Sequence, residues 1–225
     1  MSNLLQAIEI QTGSDPAASV IWMHGLGADG NDFVPVVEEL DLDGAPAIRF
    51  VFPHAPVRPV TINGGALMRA WYDVSFGDLE GRSRRADEAG LRESQAQIAA
   101  LVERESARGV APRNIVLAGF SQGGAVALET GLRYPERLAG VMALSTYLPL
   151  AERLPQEASA ANRATPVFMA HGLYDPVVPY AMGAGTRALL AGLGYSVEWH
   201  EYPMPHSVCP QEIADIGAWL RRVLG

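Results

Sequence analysis

Along the chain, short apolar runs rich in Val, Ile and Phe alternate with longer stretches in which apolar residues recur every three or four positions. Unbroken apolar runs mark strands covered on both sides, and the longer period marks the helices that cover them. The pattern therefore predicts an α/β fold with a mostly parallel central sheet and helices on both faces. Strands are predicted at Val20 to Met23, Arg49 to Phe52, Asn114 to Ala118, Leu138 to Leu144, Val167 to Ala170 and Val197 to Tyr202. Helices are predicted at Phe33 to Leu40, Ala86 to Arg108, Gly123 to Arg133, Tyr180 to Ala191 and Pro210 to Val223. In the last of these Pro210 stands where a first-turn proline belongs, and Ile213, Ile216, Leu220 and Val223 follow at helical spacing.

Two connections lack either period. Pro53 to Ser83, containing Gly64-Gly65 and Trp71-Tyr72, and Ser145 to Thr165 are longer than plain turns and read as loops that form or cover a site. No repeat or low-complexity tract divides the 225 residues, a length that one α/β domain spanning 1–225 accommodates.

Charge narrows the choice of partners. Arg makes up all 17 basic residues against 25 acidic ones, so the formal charge is −8 and nucleic acid or an anionic membrane is disfavoured. The absence of lysine removes Schiff-base chemistry, a Ser-Lys dyad and a P-loop nucleotide site. The lone Cys209 permits no internal disulfide and fits a reducing compartment, so the expected location is cytoplasmic. The first residues show no signal or acylation pattern, and Leu138 to Ala151, interrupted by Ser145, Thr146 and Pro149, is too short to span a bilayer, so no stable membrane insertion is expected. The five histidines have no metal-ligand spacing, and neither a metal nor an organic cofactor is expected.

The candidate chemistry centres on Gly119-Phe120-Ser121-Gln122-Gly123, a G-x-S-x-G pattern between a predicted strand and a predicted helix. Glycines on either side of the serine permit a sharp turn that exposes Oγ beside a helix N-terminus, the setting of a nucleophile elbow. A serine needs a base, and the base an orienting acid. Asp175 in HGLYDPVVP and His206 in YPMPHSVCP each follow a predicted strand, in the chain order Ser, Asp, His. His171 competes as the base, although its place at a strand end suits a buried or bracing role; His54 and His200 read as loop and strand histidines without partners. Asp73 and Asp215 compete as the acid, with Asp215 placed last because it falls inside the final helix.

Gly25, Gly27 and Gly30 follow the first strand in a G-x-G-x-x-G spacing that also fits a dinucleotide fingerprint. The predicted helix begins only near Phe33 and no acid follows the next strand to bind a ribose hydroxyl, so the loop suits an esterase better. There the backbone N–H of Leu26, with that of Gln122, would hold an oxyanion, and His24 would be structural. Leu67, Met68 and Trp71 after the Gly64-Gly65 pair, with Val177 and Val178 beside Asp175, are candidates for an acyl-binding surface; routine loop packing explains them equally well.

The segments GFSQGGAVAL, HGLGADGNDF, FPHAPVRPVTINGG with MRAWYD, HGLYDPVVP and PHSVCPQEI together resemble the phospholipase/carboxylesterase family of α/β-hydrolases, which includes acyl-protein thioesterases and bacterial carboxylesterases. The resemblance runs in order from Trp22 to the C-terminus. It implies an α/β-hydrolase fold, a Ser121, Asp175, His206 triad, backbone oxyanion donors at Leu26 and Gln122, and a small acyl ester or thioester as substrate, with lysophospholipids a further class that the family covers. It also implies a homodimer as one form such proteins take. Two other classes stay open on the residues alone: a dinucleotide-dependent oxidoreductase and a hydrolase-fold binding protein without activity.

Overall fold

The computed structural model describes residues 4–75 and 87–225. Seven strands form the main sheet: β1 (Ala7–Gln11), β2 (Ala18–Met23), β3 (Ile48–Pro53), β6 (Ile115–Phe120), β7 (Gly140–Leu144), β8 (Val167–Gly172) and β9 (Val197–Tyr202). Their order across the sheet is β1-β3-β2-β6-β7-β8-β9. The pair β1–β3 is antiparallel and all the others are parallel. Two further strands, β4 (Val57–Val60) and β5 (Ala66–Arg69), make a separate antiparallel hairpin.

The apolar runs carry a hidden period of two. Ile21, Met23, Leu117, Val141, Ala143 and Met169 join one core with residues of α2 (Glu88–Ala107), α3 (Gln122–Gly131) and α5 (Tyr180–Gly192). Their neighbours Val20, Trp22, Val116, Ala118, Met142 and Phe168 join a second core with α1 (Val36–Glu39) and α6 (Pro210–Leu224). Each central strand therefore packs helices on both sides, which is why its sequence shows no polar face. A short α4 (Leu154–Glu157) lies in the connection after β7.

All six predicted strands and the five helical segments are present, with differences that have physical causes. The edge strand β1 joins antiparallel to β3. The stretch Phe33 to Leu40 is helical only over Val36–Glu39. Before it the chain turns through three-residue bonds, Asp32 N to Asp29 O and Val34 N to Asn31 O. The Asp29 carboxylate takes the Asn31 amide (2.8 Å), and Pro35 has no N–H to extend the helix backwards. Phe33 instead stacks on Trp22 at 5.1 Å. The connection Pro53 to Ser83 holds the β4–β5 hairpin, turned by Gly64 and Gly65 at φ +67° and +81°; its residues 76–83, and the predicted helix start at Ala86, lie outside the described residues. α2 is capped by Asp87, which accepts from Gly90 N (2.9 Å). No helix among the described residues is long and apolar enough to cross a membrane.

Glu212, in the first turn of α6, is fully buried and neither carboxyl oxygen is hydrogen-bonded among the described residues. Burial pushes this carboxyl up to about 8, and the charge of Asp215 adds to the rise. A carboxyl with a raised folded-state value favours folding while it stays protonated, and that contribution is lost as pH rises from 4.5 through about 8. Glu212→Gln should therefore leave urea stability unchanged near pH 4 and make the protein more stable than wild type at pH 9. A difference independent of pH would contradict the assignment.

Candidate active site

β6 ends at Phe120 and α3 starts at Gln122, so the whole change of direction falls on Ser121. Its backbone has φ +54° and ψ −120°, a conformation that costs an L-residue about 1–3 kcal/mol. The turn is so tight that a Cβ at Gly119 would collide with the backbone of Gly123, and one at Gly123 with the carbonyls of Met23 and His24. Hydrogen bonds clamp the serine backbone: its N–H donates to Leu144 O (2.8 Å), and its carbonyl accepts from Thr146 Oγ1 (2.6 Å) and Ala125 N (3.1 Å). Serine at a helix start normally turns its hydroxyl back onto the first amides. Here Ser121 makes no side-chain cap, and Oγ is left for other work.

The candidate acid and base stand just beyond the ends of β8 and β9, past the intervening β7. Asp175, on the loop after β8, has a buried side chain whose Oδ2 lies 2.6 Å from His206 Nδ1. Its Oδ1 accepts from the amides of Val177 (2.8 Å) and Val178 (2.9 Å). Burial alone would raise this carboxyl, but the bond to His206, the imidazole charge and the two amides outweigh it and hold Asp175 below its usual value. The loop after β9 carries His206 and is tied to the acid loop through Leu173 N to Tyr202 O (2.8 Å) and Tyr174 N to Met204 O (3.1 Å). The His206 ring packs 4.7 Å from that of Phe120, the residue before Ser121.

The rival residues have other partners. His171 is buried, with Nε2 2.9 Å from Val178 O and 3.6 Å from Asp175 Oδ2, so it braces the acid loop. Burial lowers its proton affinity despite the Val178 carbonyl and Asp175. Asp73 accepts from Thr61 N (2.7 Å) and Oγ1 (2.6 Å); Asp215 accepts from Tyr202 OH (2.8 Å). The two histidines expected to lack partners have them: His54 Nδ1 accepts from Gly30 N (3.0 Å), and His200 Nε2 lies 3.0 Å from Glu198.

The glycine loop after β2 folds over the elbow. Ala28 N donates to Gly25 O (3.3 Å) and Gly27 has φ +78°, a turn with Leu26 at its second position. A Cβ on Gly25 would lie 3.5 Å from Ser121 Cβ, so this turn borders the serine. Neither the Leu26 nor the Gln122 amide is hydrogen-bonded among the described residues, and the latter is the first amide of α3. The dinucleotide alternative loses its footing here, since Gly30 donates to a histidine and no helix starts at the glycines.

Sequence reasoning missed the side chain of Gln122, which stood at the variable position of the motif. It is buried, with Oε1 accepting from Trp71 N (2.8 Å) and Nε2 donating to Tyr72 O (2.7 Å). Trp71 Nε1 in turn donates to His24 O (2.9 Å), and Ser94 Oγ donates to Trp71 O. Trp71 is thus a wholly buried strut between elbow and glycine loop, and offers no surface to an acyl chain. Val178 is likewise buried, its amide on Asp175. Leu67, 73% exposed on β5, and Val177, 46% exposed, do present apolar surface, and Met68 is half-buried beside Gly27. Leu173 and Tyr174 extend the exposed apolar surface on the acid loop, which no period in the sequence marked. A cavity of about 440 Å³ adjoins the glycine loop, lined by Gly27, Ala28, Asp29, Asn31, Asp32 and Arg69.

Comparison with known proteins gives one family. The phospholipase/carboxylesterase family model matches residues 5–224. Acyl-protein thioesterase 1 of Gibberella zeae is 38% identical over 229 residues, covering 99% of this chain and 97% of that protein. Among solved structures, acyl-protein thioesterase 2 of Zea mays superposes with a TM-score of 0.83 at 30% identity over 98% of this chain and 99% of that one. Esterase PE8 superposes with 0.82 at 28% identity over 98% and 100%.

The Gln122 bridge predicts a graded loss. Gln122→Ala removes the partner of the buried Trp71 amide and one partner of the Tyr72 carbonyl and should lower urea stability by about 2–4 kcal/mol. Gln122→Glu, which sets a carboxylate against the Tyr72 carbonyl, should cost more at pH 8. Equal stability of the three proteins would rule out a bracing role.

Proposed function

The chain belongs to the phospholipase/carboxylesterase family, and we propose that it is a serine carboxylesterase using Ser121 as nucleophile, His206 as base and Asp175 as orienting acid. The observation that carries this reading is the Asp175–His206 pair, 2.6 Å apart, whose imidazole packs on Phe120, the residue before a serine whose backbone is strained and whose hydroxyl does not cap its helix.

His206 takes the Ser121 proton as Oγ attacks the substrate carbonyl. Asp175 keeps the Nδ1–H tautomer of the ring and stabilises the imidazolium that forms. The oxyanion is received by the Leu26 and Gln122 amides, one from the turn and one from the start of α3, where the helix adds favourable potential. His206 then returns the proton to the leaving group, and water cleaves the acyl-serine by the same route in reverse. The substrate is a small carboxylic ester of short to medium acyl chain. The names of the relatives favour thioesters as a second substrate class, since the same attack serves both leaving groups. Leu67, Met68 and Val177 supply the acyl-side surface; Trp71 and Val178 act behind it.

Two measurements test the assignment. Hydrolysis of p-nitrophenyl esters should fall about 10⁶-fold in kcat for Ser121→Ala and about 10⁴-fold for Asp175→Asn, with both proteins folded. A Ser121→Ala enzyme near wild-type rate would show the serine is not the nucleophile. Across a series of acyl chain lengths, for oxygen esters and thioesters alike, Leu67→Ala should shift the preferred length at unchanged melting temperature. Trp71→Ala should lower the melting temperature. Unaltered length preference in Leu67→Ala would remove β5 from the acyl site.

A further inference from the structure

We infer that His24 is a positioning residue whose ring holds the Gly25–Leu26 peptide so that the Leu26 amide faces the oxyanion. The inference deepens the function proposed above and rests on Ser121 being the nucleophile. His24 is buried just beyond β2, with Nε2 3.1 Å from Ala55 N and Nδ1 2.7 Å from Gly25 O. The Ala55 amide can only donate, so Nε2 must be the accepting nitrogen. The Gly25 carbonyl can only accept, so Nδ1 must carry the proton. One neutral tautomer satisfies both contacts; the other tautomer and the imidazolium satisfy neither pair together. Burial disfavours the imidazolium further, against the pull of the Gly25 carbonyl.

The bonded oxygen belongs to the same peptide unit as the Leu26 N–H. In a planar trans peptide the C=O and N–H point in opposite directions, so a ring that fixes the oxygen also aims the hydrogen. Two neighbouring bonds keep the unit from rotating: Ala28 N closes the turn on the same oxygen (3.3 Å), and Trp71 Nε1 holds the preceding carbonyl, His24 O (2.9 Å). Gly25 borders Ser121, so the direction set by His24 is set next to the reacting atom. His24 itself touches no reacting group; it acts through the peptide.

Two amide substitutions separate the roles of the two ring nitrogens. Gln in place of His24 can keep an acceptor for Ala55 N while losing the short donor to Gly25 O; Asn reverses this. Removing an oxyanion donor costs roughly 10²–10³ in kcat, so a donor that is only loosened in His24→Gln should cost about 10- to 100-fold, with KM within about twofold. Affinity for a trifluoromethyl ketone, which binds as a hemiketal oxyanion, should fall by the same factor, and His24→Asn should recover most of both losses. In the wild type, ¹⁵N NMR should show His24 protonated at Nδ1 and bare at Nε2, a readout that holds even if a variant fails to fold. Wild-type kcat and ketone affinity in His24→Gln, equal losses in both variants, or an Nε2-protonated ring would overturn the inference. If Ser121→Ala is inactive while His24→Gln keeps wild-type constants, the clamp alone fails; an active Ser121→Ala protein removes the nucleophile and the clamp with it.

Discussion

A positive-φ backbone at Ser121 is tolerable because hydrogen bonds from neighbouring strand ends close around it. The same pattern continues across the sheet: Ser121 N reaches Leu144 O at the end of β7, and Ser145 N reaches Ala170 O, two residues before the end of β8. The pairings Phe120 with Leu144, Leu144 with Ala170 and Gly172 with Tyr202 place the ends of β6, β7, β8 and β9 in sequence. Ser121, Asp175 and His206 each stand a few residues beyond one of these ends. Their relative positions are therefore consequences of parallel register, which the two-sided burial of β6, β7 and β8 enforces, since a one-residue slip would exchange the two cores.

Around this elbow the structure places backbone groups as carefully as side chains. Gln122 ties α3 to residues 71 and 72, Trp71 ties those residues to His24, and His24 ties the glycine loop to Ala55. The braces are buried hydrogen bonds, so loss of one leaves a polar group unsatisfied and raises its cost above that of the bond itself. Donors held in this way need no reorganisation when charge develops on a substrate oxygen. The exposed apolar surface proposed for the acyl group lies outside this frame, on β5 and on the acid loop.

Much of this was legible in the sequence because the underlying constraints are local. Strands buried on both faces read as apolar runs, and a serine with a glycine two residues away on each side at a strand–helix junction reads as an elbow. The members of the candidate triad were found from their places just past strands, since position in a parallel sheet determines where such residues meet. What was missed follows from the same logic. β1 is a half-buried edge strand, and the β4–β5 hairpin contains Pro59 and turns on two glycines, so neither has a strong apolar run. Phe33 to Leu40 shows helical spacing, yet Pro35 and the Asp29 turn determine its backbone. Trp71 was read by its proximity to flexible glycines, whereas its indole N–H and backbone amide are both taken up by the frame. The side chain at a motif's variable position, Gln122, and the tautomer of His24 have no one-dimensional signature at all.

Central to the account is that Ser121 Oγ is the nucleophile activated by His206. Its most direct measurement is mass spectrometry of the native protein after treatment with a fluorophosphonate. A single phosphonyl adduct on the peptide carrying Ser121, abolished in His206→Ala, is the predicted result. An adduct on another residue, or labelling of Ser121 that persists at full rate without His206, would contradict it.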